Sequence, residues 1–133
     1  MKSGLAIYNI LSNDADVSAL VGTRIFPNVA KNKTQFPFII YDVDGESPTD
    51  DKDGVSTLDT DSVMVSGYSK TYAEASDLAL KIRTALDRVN GTFGGVVVQS
   101  IQYGGYNDLF DDDSGDEGIY RKALDFKIRI INI

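Results

Sequence analysis

Apolar and polar positions follow two different periods along this chain. Ile7, Ile10 and Leu11 recur at helical spacing with Leu5 and Tyr8 beside them, so residues 3–13 are predicted as a helix stopped by Asn13-Asp14. Asp16 is the expected cap of a short second helix, Val17 to Val21, closed by Gly22. Arg24-Ile25-Phe26-Pro27 reads as extended, because Pro27 pushes Phe26 out of the helical region. After a polar connection over 28–36, Phe38 to Val43 is a predicted strand that Pro37 starts. Ser62 to Tyr68 is a second, with Val63 and Val65 on one face. Thr71-Tyr72-Ala73-Glu74 matches a capping box. The stripe Ala75, Leu78, Ala79, Ile82, Leu86 and Val89 then predicts a long helix, with Asn90-Gly91 as its stop.

Gly95 to Tyr103 is a third predicted strand, and Gly104-Gly105 leads out of it. Tyr120 to Ile130 is a fourth and shows a period of two. Tyr120, Leu124, Phe126, Ile128 and Ile130 alternate with Arg121, Ala123, Asp125, Lys127 and Arg129. Only Lys122 breaks the apolar face, at what should be a wet end. The expectation is one α+β domain over residues 1–133. Its architecture is an antiparallel four-stranded sheet, with one long helix and the N-terminal helices packed on its apolar face. The expected core is Ile7, Ile10, Leu11, Val63, Val65, Leu78, Ile82, Leu86, Leu124, Phe126 and Ile128.

Composition removes much chemistry. The 133 residues include no Cys, His or Trp, so thiolate nucleophiles, zinc cages, imidazole relays and disulfides are excluded. The start is amphipathic rather than apolar, so no signal peptide is expected, and no window approaches the length of a membrane span. The net charge of −7 argues against a broad grip on phosphates.

That charge is uneven. Residues 42–62 hold eight acids and one base, and residues 107–118 hold six acids and no base, which leaves the other 100 residues at +6. Two acidic loops are therefore expected, over 44–58 and after Gly105. Asp50, Asp51 and Asp53 in the first, and Asp111, Asp112, Asp113, Asp116 and Glu117 in the second, are candidate interaction residues. They either stay solvated or face a specific surface. They are hard oxygen ligands suited to Ca²⁺, but neither run keeps EF-hand spacing. No apolar setting raises a carboxylate's pKa there, so no catalytic pair and no enzyme is expected. The glycines at 91, 94, 95, 104 and 105 make no phosphate loop, and no cofactor is expected. Arg121, Lys127 and Arg129 either face solvent or meet an acidic neighbour. Tyr103 and Tyr106, beside two glycines, are candidates for an exposed tip.

Several segments occur in a telling order. After the first helix come Asp16-Val17-Ser18-Ala19-Leu20-Val21-Gly22-Thr23-Arg24-Ile25-Phe26-Pro27, then Pro37-Phe38-Ile39-Ile40-Tyr41, then Val63-Met64-Val65-Ser66-Gly67-Tyr68. The Ala75 to Leu86 helix and the closing Phe126-Lys127-Ile128-Arg129-Ile130 follow. In this the chain resembles the small tail-completion proteins of long-tailed bacteriophages, also called tail terminators or tail-to-head joining proteins. The segment from Ala19 to Pro27 is the most specific part. The resemblance implies a structural, non-catalytic virion protein of the tail or neck, assembled in the bacterial cytoplasm. It implies a hexameric ring on the tail tube, with the major tail protein below, a head-completion protein above and DNA passing through unbound. Another neck or minor tail component, and a small acidic-loop Ca²⁺-binding module, are the alternatives.

Overall fold

The first helix forms where the 3.6-residue stripe predicts it, as α1 (Ser3–Asn13). It is followed by α2 (Ala15–Val21), β1 (Ile25–Pro27), β2 (Phe38–Pro48) and β3 (Leu58–Ser69). Then come α3 (Tyr72–Leu86), β4 (Gly91–Phe93), β5 (Val96–Asp111) and β6 (Ile119–Ile131). This computed structural model describes residues 2–30, 34–48, 58–111 and 118–131. No described helix is long and apolar enough to cross a membrane.

The sheet corrects the expectation of four antiparallel strands. Among the described residues it has six strands in the order β1-β2-β3-β6-β5-β4, and β1 runs parallel to β2, so the sheet is mixed and strands outweigh the three helices. The two strands beyond the expected four are three residues each, β1 falling in the segment read as extended but not counted as a strand. At that length no alternation can show, and pairing with a longer neighbour makes the strand.

The long strands also run further than read. Gly45, within the expected first loop, and Gly104-Gly105, at the expected end of the third strand, sit at irregularities in the ladder, between Val43 and Gly45 and between Tyr103 and Gly105. A bulge absorbs one residue and lets the strand continue. Gly105 has φ +117°, a backbone that a side chain resists. Much of each expected acidic loop is therefore strand: Glu46, Asp59 and Asp61 pair in the β2–β3 ladder with Asp44 at its bulge, and Asp108 and Asp111 pair in β5.

Three local signals are revised. Asp14, not Asp16, caps α2, its Oδ1 accepting the Val17 amide at 3.0 Å. Thr71 caps α3 by accepting the Glu74 amide at 3.2 Å. The Glu74 carboxylate instead takes the Ser69 hydroxyl at 2.6 Å, and Ser69 Oγ accepts the Thr71 amide. Finally, α3 ends at Leu86, because Asp87 turns extended and its Oδ1 accepts the Tyr103 amide at the β5 bulge.

All three helices lie on one side of the sheet or at its edges, and α1 touches β1 and β2 as well as β5 and β4. The expected core residues are all buried, joined by Val17, Val21, Ile25, Ile39, Val98, Ile101 and Ile130. Arg24 of the Ala19–Pro27 segment explains part of that motif. Its Nε donates to the Pro37 carbonyl at 3.0 Å and Nη2 to the Leu20 carbonyl at 3.3 Å, tying the end of α2 to the start of β2. A cation there also meets the negative end of the helix.

Gly67 sets how closely α3 approaches the sheet. A Cβ on it would lie 2.9 Å from Leu78 Cδ2 and 3.1 Å from Leu78 Cγ. Gly67→Ala is therefore expected to cost about 1–3 kcal/mol by overpacking. Urea denaturation measures it, and a neutral or stabilising result would show that α3 shifts freely.

Candidate interaction site

Lys122 is the anomaly of β6 and the centre of the most structured polar cluster. It lies on the helix-side face and is only 4% exposed, not wet as expected. The register sets Asp108 of β5 directly opposite, and Lys122 Nζ forms an ion pair with Asp108 Oδ1. Tyr72, at the start of α3, donates its hydroxyl to Asp108 Oδ2 at 3.1 Å. Lys122 Nζ also stands 4.0 Å from the Tyr72 ring centre and 5.4 Å from that of Tyr106. A buried ammonium needs such a carboxylate and such ring faces, since a solitary charge in this setting is costly. The break in the apolar alternation was the visible signal. The partner was hidden because residues 107–118 read as a loop.

The pair shifts both groups. The hydrogen bond from Lys122 holds the Asp108 carboxyl below the usual carboxylate range, and the Tyr72 hydroxyl adds to this. Burial alone would lower Lys122, but its bonds to Asp108 and Tyr72 outweigh burial and raise it. A depressed acid stabilises the fold above the ordinary aspartate pKa, and that contribution disappears as pH falls through the folded value. A raised lysine stabilises below the ordinary lysine pKa and loses its contribution as pH rises through the folded one. The pair therefore contributes fully between the aspartate and lysine ranges. Asp108→Asn is expected to lower the urea midpoint at pH 7, with the gap to wild type closing towards pH 3. An equal gap at both pH values would separate the effect from Asp108 ionisation.

Around this cluster the surface is apolar. A groove of about 230 Å³ runs between α3 and β5–β6, lined by residues including Tyr72, Ala79, Leu80, Arg83, Tyr103 and Tyr106. Tyr106 is exposed but lies within β5, paired with Leu124, and not at a tip, whereas Tyr103 is half-buried against Phe126 with the Arg83 guanidinium 4.2 Å above its ring. Phe110 packs at 5.0 Å on Tyr120, which meets Tyr72 edge-on at 5.7 Å.

The predicted interaction residues fall elsewhere. Asp111 ends β5. Asp50, Asp51, Asp53, Asp112, Asp113, Asp116 and Glu117 lie outside the described residues. Arg121, Lys127 and Arg129 share the sheet face away from the helices but are not equivalent. Arg121 is half-buried; its Nε donates to Ser66 Oγ at 3.2 Å, and its guanidinium stands 5.5 Å from the Tyr68 ring centre. Ser66 and Ala123, beside it on that helix-free face, are buried. Lys127 Nζ donates to Ser62 Oγ, and Arg129 is exposed near the end of β6. Among the described residues, no three Asp or Glu side chains group to hold a metal ion.

Strand direction separates the two acidic segments. Leu58 pairs with Ile131, and Ser69 with Tyr120. The β2–β3 connection therefore leaves the sheet where β6 ends, and the β5–β6 connection leaves it where β6 begins.

Comparison with solved structures finds a similar fold in a chain of the virion of the native gene transfer agent particle. The TM-score is 0.72 at 20% identity, over 96% of this chain and 92% of that one. No curated protein matches the sequence. The model of the family described as "Tail completion protein gp17" matches residues 5–131. That match spans β1 through β6 and nearly all of α1, so the chain belongs to the tail completion protein gp17 family and is a structural phage tail protein.

Proposed function

We propose that this protein completes the phage tail by closing the end of the tail tube as a ring of six and presenting it to the head. Its partners in this reading are further copies of itself, the major tail tube protein on one side and a head-completion protein on the other. The observation that carries the reading is the family match across residues 5–131.

The acidic segments fit a channel. DNA must slide through without being held, and carboxylates repel phosphates where Lys or Arg would bind them by counterion release. Because the two segments leave opposite ends of the sheet, only one is assigned to the lumen. Residues 107–118 are that one, because they contain no base.

Deleting the gene and imaging the particles tests the function. Tails of abnormal length, or finished tails unjoined to full heads, are expected, and wild-type chain restores particles. Normal tails joined to heads would overturn the reading. Complementation with Asp111, Asp112 and Asp113 all changed to Lys tests the lumen. Assembled particles that eject DNA slowly or incompletely are expected. Unaltered ejection, or failure to assemble, would move the segment out of the channel.

A further inference from the structure

We propose that the groove between α3 and the β5–β6 hairpin seats a second copy of this chain. That copy presents the corner formed by α1 and the bulge of β2. The proposal rests on the ring reading and names the surfaces that would build it.

The groove side is lined largely by aromatic and aliphatic groups and carries a cation, Arg83, at its edge. Leu80 is 61% exposed in the middle of α3, and Tyr72, Tyr106 and Phe110 are exposed on the same face of the molecule. So many large apolar groups in one place mark an interaction surface rather than scattered exposure. Lys122 is already neutralised by Asp108. Arg83 stands over the Tyr103 ring and has no ion pair among the described residues. The groove therefore offers aromatic and aliphatic walls with a guanidinium at the side.

The opposite corner has the matching chemistry. Leu5 is 59% exposed on the outer face of α1, Tyr8 is exposed one turn on and 6.5 Å from Tyr41, and Val43 is exposed next to Gly4 of the same helix. Asp44 follows Val43 at the bulge and is exposed, with Lys2 as the base at the start of α1. Acidic Asp42 and Glu46 flank it along β2. This corner is apolar with an acidic margin.

The two corners lie diagonally across the sheet. Val43 stands opposite Val63, whose β6 neighbour is Phe126. Phe110 stands opposite Tyr120, whose β3 neighbour is Ser69. From β2 to β5 is three strand spacings, about 14 Å, and from Val63 to Ser69 is six residues, about 20 Å. A contact between two different surfaces of one chain is heterologous, and its repetition closes a ring when the rotation allows. A two-fold contact of groove on groove would instead bring Arg83 against Arg83, and like charges oppose that.

The chain has no cysteine, so Tyr8→Cys and Leu80→Cys each introduce a single thiol at an exposed site. Assembled particles carrying both variants are oxidised and the linked species separated by size. Disulfide-linked dimers are expected from the mixture and from neither variant alone, and the doubly substituted chain should give a ladder ending at the ring's copy number. Linkage by either variant alone would overturn the proposal in favour of a two-fold contact. No linkage in particles whose images show a ring would overturn these surfaces and leave the ring standing. One copy per particle would overturn both. In the cross-linked background, Arg83→Glu or Asp44→Arg alone should lower linked dimer at least tenfold, and the two together in one chain should restore it. Loss without restoration, with circular dichroism unchanged, would remove this charge pair from the contact.

Discussion

Phe126→Ala is expected to lower the unfolding free energy by about 3–5 kcal/mol, the range for deleting a buried aromatic ring. Phe126 is the largest fully buried side chain. It stands between Val63 and Tyr103 in the ladders of β6 with β3 and β5, and its ring centre lies 5.7 Å from that of Tyr103. Three strands and the sheet-facing stripe of α3 meet in this cluster, so little can collapse into the space left behind. Arg129→Ala, three residues on and on the other face, should stay within about 0.5 kcal/mol. Urea denaturation of both measures the contrast. A Phe126→Ala loss below about 1 kcal/mol, far under the range for such a deletion, would contradict this packing.

Asp61→Ala is expected to cost about 2–3 kcal/mol, the scale of a buried hydrogen bond to a charged acceptor. The helix α1 begins with Lys2 in the capping position, makes no side-chain cap and has no acid in its first turn. Asp61 of β3 supplies the missing carboxylate, its Oδ2 accepting the hydroxyl of the buried Ser3 at 2.5 Å. A negative group at a helix N-terminus meets the positive end of the backbone dipole. Removing it leaves Ser3 without this acceptor and the helix start without its counter-charge. Asp61→Asn keeps the shape and an acceptor oxygen, so it should cost clearly less than Asp61→Ala. Thermal and urea unfolding of the two variants check the order. Equal losses would assign the effect to packing instead of charge.

The periodic elements were legible because their period exceeds their neighbours' influence. Fifteen residues of α3 and thirteen of β6 each repeat their pattern several times, so the buried face could be named residue by residue. The Thr71 cap and the Gly22 stop were local chemistry, decided within a few residues. The same locality misled at glycines. Gly45 and Gly105 look like turn residues in isolation, but a paired neighbour strand converts each into a bulge.

What lay beyond the sequence depends on which distant strand becomes a neighbour. Asp61 sits in an acid-rich run and reads as one more solvated carboxylate, until β3 brings it beneath Ser3, 58 residues away. Asp108 and Lys122 are separated by a stretch that reads as a loop, and only the β5–β6 register sets them face to face. The three-residue β1 and β4 have no pattern of their own and exist through the edges they pair with. By itself the sequence determined the long helix, the alternating last strand, most of the core and the absence of thiol and imidazole chemistry. Tertiary structure alone decided the six-strand order and which charges are buried and paired, since both follow from contacts between segments far apart in the chain, which no local period encodes.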